Sequence, residues 1–571
     1  MFPLHEPLDD ALRKELQEYD DLIAALLARR GVTSKEAADA FLNPSYETHL
    51  HNPLLMTDMA RAAERLAHGI LSGEKIAAWT DYDADGIPAA VLLHDFLEKA
   101  GANFEVYIPH RHTEGYGMNE HGVEQLASRG VTLIVTADSG ITDLAPVARA
   151  KALGIDVIVT DHHLPQETLP DAFAVVNPNA RADEPYPFKG LCGAGVAWKL
   201  VCATLFVSPE LRAKIPEGWE KWLLDMVGIA TVADMVPLTG ENRVLATYGL
   251  LVLRKSPRIG LKKLCEAMRV NQRFISEDDI GFMLAPRINA ASRMGDAVDA
   301  YKLFVAKEAS EAERLAAKLE TLNRKRKAEA GTITRAVHSR MKDRAIGKVI
   351  ALGDPDWRPS LLGIVAGNLA DEYNVPVFLW GREGNGGAKG SVRSGVVHAL
   401  ELMQAAQNTF AEFGGHAASG GFTVREDAVF DLEARLEAAL ASLAPKTEDP
   451  LEMRADAVLE PHEATPEFLK RLSRLAPFGQ ENEKPVFLFR SVPVVRVSRF
   501  GKAQEHLKLA LLKDESGTTM DAVTFFAKGM LAKTADALAP HARAHLIAHL
   551  ERDTFTRGAP VRLRLLDLKL V

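Results

Sequence analysis

The sequence predicts an α/β protein built from several domains, and three observations support this. Short apolar strands alternate with amphipathic helices from Glu74 onward, a pattern typical of a doubly wound parallel sheet with right-handed crossovers. A long charged segment without proline then precedes a second, shorter α/β region. From residue 485 to the end short strands predominate, which indicates a small β-barrel. A chain of 571 residues is long enough for three or four domains.

The first 50 residues predict short helices. Apolar positions recur at helical spacing in EPLDDALRKELQEYDDLIAALLARR, and Ser34 offers an N-cap for the helix that follows. The stretch APKTEDPLE has the composition of a linker. We predict an N-terminal helical segment (1–50), a first α/β domain (51–306), a connecting helix (307–345), a second α/β domain (346–444) and a C-terminal domain (453–571).

The first domain contains three predicted strands that end at acidic residues. KIAAWT leads into Asp81, VTLIVT into Asp138 and IDVIVT into Asp161, with helices such as VLLHDFLEKA and LAPVARAKAL between or after them. In an open parallel sheet, ligands bind beyond the carboxyl ends of the strands. We therefore expect the three acidic sites to lie at the ligand-binding edge of this sheet.

The two later domains are predicted from shorter patterns. In the second α/β domain, KVIALGD and VPVFLW are predicted strands and LLGIVAGNLADEYN is a predicted helix, followed by glycine-rich loops as far as Gly421. In the C-terminal domain, strands are predicted at PVFLFR, VPVVRVSRF, HLKLALL, MDAVTFF, HLIAHLE and VRLRLLDLKLV.

Composition excludes several classes of protein. Hydrophobic residues make up 47% and charged residues 25% of the chain, which is the balance of a globular protein and excludes a collagen-like or wholly disordered chain. The N-terminus lacks the basic and apolar regions of a secretory signal, and no apolar run approaches the ~18–20 residues that span a bilayer. Three cysteines cannot form a disulfide framework. We expect a cytoplasmic protein without membrane contact.

The charge is distributed unevenly along the chain. The formal net charge is −9, but residues 485–571 contain 14 lysines and arginines against 8 aspartates and glutamates, a net charge of +6. The rest of the chain therefore carries −15. An acidic body with a basic C-terminal domain indicates an acidic metal site and a separate polyanion-binding module, with ordinary surface variation as the alternative.

The segment Asp81-Tyr82-Asp83-Ala84-Asp85-Gly86 is the first chemical signal. Three alternating carboxylates at a strand end repel one another unless a cation or protonation relieves them. Gly86 lets the backbone turn away directly after them. An acidic surface loop or a calcium loop is the alternative, but the segment lacks the later glutamate of an EF-hand and follows an apolar strand.

Three further signals strengthen the prediction of a metal site. Asp138 in ADSG and the triplet Asp161-His162-His163 each follow an apolar strand that ends in threonine. Asp234 is the single charge in the apolar run IATVADMVPL, where an N-cap or a structural salt bridge is the alternative. Aspartates with one or two imidazoles suit Mn²⁺ or Mg²⁺. Their number is sufficient for two ions that clamp a phosphoryl substrate.

These motifs resemble those of a known family. DYDADG, ADSG, DHH and the aspartate of TVADMVPL, in this order and spacing, resemble the four motifs of the DHH phosphoesterase superfamily. Over roughly residues 35 to 571, further segments resemble its bacterial RecJ branch: YIPHRHTEGYG (107–117), LCGAGVAWKL (191–200), ENRVLATYGL (241–250), PRINAASRMGDA (286–297), KGSVRS (389–394), FGGHAASGG (413–421) and LAPFGQENEKPVF (475–487).

The resemblance implies a single-strand-specific DNA exonuclease that digests from the 5′ end, uses two Mn²⁺ or Mg²⁺ ions and acts in recombination and repair. Matching the motifs residue by residue implies five metal ligands, with Asp138 as the bridge between the ions: Asp83, Asp85, Asp138, His162 and Asp234. Asp81 and His163 are implied as further catalytic residues. Asp81 is a ligand or supports the ligands, and His163 faces the substrate phosphate.

The resemblance also implies where the substrate binds. Substrate contacts are expected from Arg287, Ser391, Arg393, Ser394, Gly415 and His416. The glycines around His416 would expose backbone N–H groups to a phosphate, with a purely structural turn as the alternative. The C-terminal barrel resembles an OB-fold, which binds single strands through basic grooves and aromatic stacking. Phe500, Phe525 and Phe526 are stacking candidates, although phenylalanine in a strand is more often part of a core.

Two other functions remain open from the sequence. A DHH phosphodiesterase for very short oligonucleotides or cyclic dinucleotides would lack the basic barrel, and a DNA-binding scaffold descended from a nuclease would not need its acidic ligands. The resemblance further implies a single-strand-binding protein and a helicase as partners of a monomeric enzyme.

Overall fold

The computed structural model describes residues 2–342, 344–382, 386–443, 453–501, 504–527, 529–553, 556, 558 and 560–571. Internal contacts divide the chain into two units. The first unit comprises residues 7–323 and 470–484, and the second comprises residues 1–6, 324–469 and 485–571. The predicted linker APKTEDPLE falls outside the described residues.

A five-stranded sheet organises the first unit. Its strand order is β2-β1-β3-β4-β5, and every neighbouring pair is parallel. The strands are β1 (Lys75–Thr80), β2 (Asn103–Tyr107), β3 (Leu133–Ala137), β4 (Asp156–Thr160) and β5 (Ala174–Val176). The predicted strands before Asp81, Asp138 and Asp161 are therefore confirmed.

Helices cover both faces of this sheet. The helices of the first unit are α1 (Asp10–Glu15), α2 (Asp21–Ala28), α3 (Lys35–Leu42), α4 (Met59–Leu71), α5 (Gly86–Ala100), α6 (Glu120–Ser128), α7 (Leu144–Ala152), α8 (Gly193–Val207), α9 (Pro209–Lys214), α10 (Leu224–Ala233), α11 (Gly240–Leu253), α12 (Ile259–Met268), α13 (Glu277–Asp279), α14 (Ala285–Met294) and α15 (Val298–Val305). Along β1, Ile76 and Ala78 join one core with α4, α5 and α8, whereas Ala77 and Trp79 join the opposite core with α6 and α7. The doubly wound arrangement is confirmed.

Residues 470–484, which we call the strap, return to the first unit. The Arg243 guanidinium, on α11, donates to the carbonyl groups of Leu475 (2.9 Å) and Ala476 (3.0 Å). The buried Asn482 side chain donates to the carbonyl groups of Leu475 (2.8 Å) and Pro477 (2.7 Å). The strap is thereby built into the first unit, although it lies more than 140 residues beyond it in sequence.

A mixed sheet forms the first part of the second unit. Its order is β6-β7-β8-β10-β9, with β6 parallel to β7 and the remaining pairs antiparallel. The helix α16 (Ala309–Met341) begins in the first unit and continues into the second. The other elements of this part are β6 (Ile350–Gly353), α17 (Pro359–Tyr373), β7 (Val377–Gly381), β8 (Ala388–Arg393), α18 (Ala399–Ala405), β9 (Phe410–Gly415), β10 (Ser419–Val424) and α19 (Leu432–Ser442). The long helix predicted for 307–345 is α16, and the second α/β lobe is confirmed.

A closed barrel forms the C-terminal part of the second unit. Its order is β12-β13-β14-β16-β15, and β15 pairs with β12 to close it. The elements are β11 (Ala457–Val458), α20 (Pro466–Leu472), β12 (Phe487–Phe500), β13 (His506–Leu512), β14 (Thr519–Thr524), α21 (Gly529–Asp536), β15 (Arg543–Arg552) and β16 (Val561–Leu570).

The sequence predicts two strands, PVFLFR and VPVVRVSRF, where the structure has the single strand β12. The register of β12 against β15 shifts between Phe489 and Val492, and Ser491 has a positive φ of 49°. A bulge of this kind bends a strand without ending it. The first half of β12 therefore pairs with β15 and the second half with β13.

No helix among the residues that the structure describes is long and apolar enough to cross a bilayer.

Candidate metal centre

The acidic residues meet at the carboxyl edge of the parallel sheet. Asp81 directly follows β1, Asp138 follows β3 and Asp161 follows β4. Asp234 is the C-terminal capping residue of α10 rather than an N-cap. Parallel strands end at the same edge of a sheet, so the topology brings together Asp81, Asp138 and Asp161, and Asp234 joins them from the end of α10.

The acidic loop after β1 is shaped by its own side chains. Asp83 Oδ1 accepts hydrogen bonds from the amides of Asp85 (2.8 Å) and Gly86 (3.1 Å). A Cβ atom on Gly86 would lie 2.3 Å from the carbonyl oxygen of Asp81, so a side chain cannot be accommodated there. The glycine of DYDADG is therefore required by this close backbone approach.

Asp85 lies at the N-terminus of α8. Its Oδ2 accepts from the amide of Gly193 (2.6 Å) and its Oδ1 from the amide of Ala194 (2.8 Å). Burial and the Asp83 carboxylate raise the pKa of Asp85 to about 7, although the two amide bonds act in the opposite direction. The two amides at the start of α8 hold the Asp85 carboxylate in place. They do not fully offset the burial and the repulsion that raise its pKa.

Asp138 occupies a strained and buried position. Its φ of 61° lies in the left-handed region, and its amide donates to the carbonyl of Thr160 (3.1 Å). A Cβ atom on Gly193 would lie 2.4 Å from the Cβ of Asp138, so α8 approaches as closely as glycine allows. Burial, followed by the Asp85 carboxylate, raises the pKa of Asp138 well above its ordinary value.

His162 lies among three carboxylates. Its Nε2 is 3.2 Å from Asp138 Oδ1, 3.7 Å from Asp234 Oδ2 and 3.8 Å from Asp85 Oδ2. The ring also forms a hydrogen bond with the Leu191 backbone, and burial lowers the pKa of His162 to about 4. A neutral imidazole with one nitrogen directed at carboxylates is the form that binds a metal ion.

His163 has a different environment from its neighbour. Its Nδ1 is 2.8 Å from Asp161 Oδ1, and the half-exposed ring also contacts the Tyr116 hydroxyl (3.2 Å). Although burial acts in the opposite direction, Asp161 raises the pKa of His163 to about 9, so the ring is a cation near neutral pH.

The Asp161 carboxylate forms its hydrogen bonds with backbone amides and with the His163 ring. Its oxygens also accept from the amides of Ile141 (3.0 Å), His162 (2.7 Å) and His163 (3.1 Å). These bonds and the His163 cation lower the pKa of Asp161 despite its complete burial. The first residue of the DHH triplet therefore anchors the two histidines.

The predicted ligands form two sets joined by Asp138. Ligand atoms of Asp81, Asp83 and Asp138 lie within 4.8 Å of one another, and so do those of Asp85, His162 and Asp234. Burial and the neighbouring aspartates raise the pKa of Asp234 to about 9. Asp81 Oδ1 is buried without a hydrogen-bond partner. The aspartates of these two sets are crowded and repel one another, and His162 adds a neutral imidazole. This set of ligands is suited to two hard divalent cations.

Two residues that the sequence patterns do not single out support this centre. Tyr116 donates from its hydroxyl to the Asp138 carbonyl (3.2 Å) as well as contacting His163. Asn289, on α14, accepts from the Ala84 amide in the acidic loop (3.0 Å). Both residues stand in segments quoted for the family resemblance, YIPHRHTEGYG and PRINAASRMGDA, and that was their only signal in the sequence.

Arg287 lies in the same helix as Asn289 but in a different environment. Its guanidinium is buried, forms a two-pronged ion pair with Glu320 (2.7 Å from both Nε and Nη2) and donates to the Met283 carbonyl (2.7 Å). The prediction that Arg287 contacts substrate stays a prediction, and it would require this ion pair to open or to be shared.

The other predicted substrate residues lie together in the second unit. Ser391 and Arg393 on β8 pair with Gly421 and Ser419 on β10, and Gly415 ends the adjacent strand β9. Ser394 and His416 directly follow β8 and β9. The Ser394 amide donates to the Ala418 carbonyl (3.0 Å), and the His416 amide donates to the Ser419 carbonyl (2.7 Å).

Arg393 has few partners of its own. Its Nη1 donates to the Val392 carbonyl (2.8 Å), no carboxylate of the described residues forms an ion pair with it, and burial lowers its pKa. A Cβ atom on Gly363 would lie 2.8 Å from Arg393 Nη2, so the guanidinium lies close against α17 at this glycine. A partly buried cation without a counter-charge is a binding site for an anion.

Aromatic residues of the barrel form one group around His506. The ring of His506 lies 5.0 Å from Phe500, 5.3 Å from Phe525 and 4.7 Å from Phe526. Arg564 lies 4.4 Å over the Phe525 ring, and Phe526 is 66% exposed. The three predicted phenylalanines are thus brought together, and Phe526 is accessible for stacking.

Three family models match the chain. They are the N-terminal domain of the DHH family over residues 75–231, the DHHA1 domain over 342–444 and the RecJ OB domain over 455–567. Each match falls on one of the architectural parts described above: the parallel sheet, the mixed sheet and the barrel.

Characterised relatives match over most of the chain. The single-stranded-DNA-specific exonuclease RecJ of Bacillus subtilis is 34% identical over 550 residues, covering 96% of this chain and 67% of the relative. RecJ of Escherichia coli is 33% identical, with coverage of 90% and 91%. The crystal structure of Thermus thermophilus RecJ in complex with Mn²⁺ superimposes with a TM-score of 0.81 at 28% identity, covering 100% of this chain and 79% of that one.

Proposed function

Because the chain belongs to the RecJ family of single-stranded-DNA-specific exonucleases, we propose that it hydrolyses single-stranded DNA from the 5′ end at a two-metal centre and releases 5′-mononucleotides. The observation that carries this proposal is the pair of ligand sets, which are linked where His162 Nε2 of one set lies 3.2 Å from Asp138 Oδ1 of the other. A non-enzymatic scaffold would not need these buried, mutually repelling carboxylates, which are costly to a fold that does not bind cations.

The proposed ligands are those expected from the sequence. Asp83 with Asp138, and Asp85 with His162 and Asp234, would hold two Mn²⁺ or Mg²⁺ ions, and Asp81 supplements the first set through its unpartnered oxygen. When bound, such ions polarise the phosphodiester and stabilise the charge that develops during hydrolysis. The chain's part is to hold the ligands in place, through the Gly86 turn and the N-terminus of α8.

His163 is proposed to bind the scissile phosphate. Asp161 holds its Nδ1, so Nε2 is the nitrogen that remains for a ligand, and the raised pKa keeps the ring cationic near neutral pH. An imidazolium N–H donates well to a phosphate oxygen. The Tyr116 hydroxyl fixes the same ring from another side.

Substrate binding is proposed to involve both parts of the second unit. Arg393, with Ser391, Ser394, Gly415 and His416, would bind the terminal nucleotide, because its guanidinium lacks a carboxylate partner. The barrel, with its charge of +6 and the aromatic group around His506, would bind the following nucleotides. This barrel favours long single strands over very short oligonucleotides or cyclic dinucleotides as substrates.

A single-strand-binding protein and a helicase that supplies 5′ tails would be the partners of this activity. We propose that the enzyme acts in the cytoplasm as a monomer.

An end-labelling experiment tests the function directly. We expect Mn²⁺-dependent release of mononucleotides from 5′-labelled single strands and no digestion of a blunt duplex. Replacing Asp138 by asparagine (D138N) should lower kcat by at least about a thousandfold while DNA binding is kept, because the shared carboxylate is lost but the barrel is intact. Ser292, which is buried in α14 and helical, offers a matched control as S292A. Digestion from the 3′ end, or an active D138N variant, would contradict the proposal.

A further inference from the structure

The segment Glu241-Asn242-Arg243 at the start of α11 has no role in the proposed function, yet all three side chains are buried. Glu241 forms an ion pair with Lys199 (2.6 Å), and Arg243 binds the strap. Asn242 behaves differently. Its Nδ2 donates to two backbone carbonyls, those of Gly190 and Pro237 (3.0 Å), and so links two segments of the chain.

The Gly190 side of this link supports His162. The ring of His162 forms a hydrogen bond with the Leu191 backbone, the next residue after Gly190. Asn179 donates to the carbonyl of His162 (2.8 Å) and to that of Lys189 (3.2 Å), the residue before Gly190. Residues 189–191 are therefore attached to His162 through both its ring and its backbone.

The Pro237 side of the link supports Asp234. Asp234 is three residues before Pro237, and between them Met235 adopts a left-handed φ of 58°, so the chain turns sharply at this point. The amide of Leu238 donates to the Gln480 carbonyl in the strap (2.9 Å). Beyond α10, the loop that carries Asp234 is thus held by the hydrogen bond of Leu238 to Gln480 and by the Asn242 amide.

We propose that Asn242 is a positioning residue that sets the separation of His162 Nε2 from Asp234 Oδ2, which is 3.7 Å, and so tunes the affinity of the ion these residues hold. This inference rests on the proposed function. The Asn242 amide group holds together the segment at Gly190, which supports His162, and the segment at Pro237, which follows Asp234. Loss of the amide lets the two segments move independently while leaving every ligand in the chain.

The hydrogen bonding of Asn242 supports a positioning role over a merely stabilising one. Its Oδ1 is buried without a partner among the described residues, which costs stability, and an apolar side chain of the same size would avoid that cost. The side chain spans two carbonyls that a serine is too short to span. Residues behind metal ligands commonly change metal affinity about 10- to 100-fold when replaced.

Calorimetric titration of the full-length apoprotein with Mn²⁺ tests the proposal, with N242L as the variant. We expect one of the two Mn²⁺ ions to bind at least about tenfold more weakly. At limiting Mn²⁺ the nuclease rate should fall, and it should recover at high Mn²⁺ because the ligands remain. The matched control is Q272L: Gln272 donates in the same way to the carbonyls of Leu253 (3.0 Å) and Ser256 (2.9 Å) in the same unit, away from the ligands.

N242S covers the case in which N242L does not fold, since it keeps a polar group but cannot reach both carbonyls. It should show the same selective loss of Mn²⁺ affinity. Unchanged Mn²⁺ affinities in a folded Asn242 variant, or equal losses in Q272L, would overturn the positioning role. Wild-type protein that binds no Mn²⁺ would instead overturn the proposed function, so the two failures are distinguishable.

Discussion

Asp138 combines a left-handed backbone, complete burial and acidic neighbours on two sides. Each of these features destabilises the protein without a bound cation, and together they indicate a position determined by function. The neighbouring residues also differ in role. Asp161 anchors the two histidines, and His162 faces the carboxylates. Two adjacent histidines therefore have opposite pKa shifts, one lowered to about 4 and the other raised to about 9.

Stability without metal should depend on pH through Asp85 and Asp234. Their pKa values are raised to about 7 and about 9, above the ordinary value of 3.8, so the folded apoprotein binds protons that the unfolded chain has released. The apoprotein should therefore lose stability as pH rises from the ordinary carboxyl pKa of 3.8 to about 9. Mn²⁺ requires the ionised carboxylates, so the rise in Tm that it causes should increase over the same range.

Thermal denaturation with and without Mn²⁺ between pH 6 and pH 9 measures this dependence. D138N serves as the comparison, because it disrupts both ligand sets and should show a much smaller Mn²⁺ effect at every pH. A Tm increment that stays constant or shrinks with rising pH would show that these carboxylates are already ionised in the apoprotein.

Arg393 is expected to matter for end recognition. R393A should raise KM for a 5′-phosphorylated single strand and also lower kcat, together a loss in kcat/KM of about 100-fold or more, because a charge-assisted phosphate contact and the position of the scissile bond are both lost. The matched control is R382A, since the Arg382 guanidinium is already ion-paired with Glu426 (2.6 Å). Equal kcat/KM values for R393A and wild type would remove Arg393 from the substrate site.

Ser292 lies one helical turn after Asn289 in the PRINAASRMGDA segment and is buried. The structure places it inside α14 with an ordinary helical backbone, and its hydroxyl contacts the Asn289 carbonyl (3.3 Å). A side chain is therefore accommodated there without strain.

Among the elements, the strap most changes the interpretation of the sequence. Its segment LAPFGQENEKPVF falls within the predicted C-terminal domain, but hydrogen bonds from Arg243 and Arg30 attach it to the first unit. It also reaches the loop of Asp234 through the Gln480 carbonyl. Buried hydrogen bonds to backbone carbonyls, rather than apolar periodicity, determine where this element packs.

Asn482 should therefore contribute to the stability of the first unit. N482A removes one hydrogen bond each from the Leu475 carbonyl, to which Arg243 still donates, from the Pro477 carbonyl and from the Arg30 guanidinium, and loss of buried partners of this kind costs about 1–3 kcal/mol. We expect a lower Tm with the two Mn²⁺ sites still present, measured by thermal denaturation and Mn²⁺ titration. S516A, at an exposed turn of the barrel, is the control and should leave Tm unchanged.

At the scale of the whole molecule, internal contacts group the chain into two units, and each unit is made of more than one stretch of sequence. The parallel sheet and the strap form one unit, while residues 1–6 join the mixed sheet and barrel in the other. The Leu4–Ala455 bridge shows how the N-terminus is built into the second unit. The predicted domain boundaries at 307, 346 and 453 thus remain predictions about sequence segments.

Removal of the barrel should separate DNA binding from hydrolysis. A chain that ends at Lys484 keeps the strap, so the first unit should stay folded and should still hydrolyse very short oligonucleotides. Its binding to long single strands should weaken, with a shallower salt dependence, because fewer phosphate contacts release fewer counterions. Binding isotherms at several salt concentrations measure both effects, and the same affinity and salt slope as the full chain would exclude the barrel as the binding module.

A chain that ends at Arg474 is the informative comparison. It lacks two of the carbonyl partners of Arg243, those of Leu475 and Ala476, and all the hydrogen bonds of Asn482, so it should unfold at a lower temperature than the chain that ends at Lys484. Equal Tm values for the two truncations would show that the strap does not stabilise the first unit.

The sequence by itself determined the order of the lobes, the barrel, and the ligand set of Asp83, Asp85, Asp138, His162 and Asp234 as a hypothesis. It could do so because period, strand-end position and residue chemistry are local properties, and because parallel strands end at one edge. Only the tertiary structure decided that the ligands form two sets around Asp138, that the two histidines differ in charge, and that Asn242 links the segments behind them. Those properties depend on distances and burial between residues far apart in the chain, which no local pattern encodes.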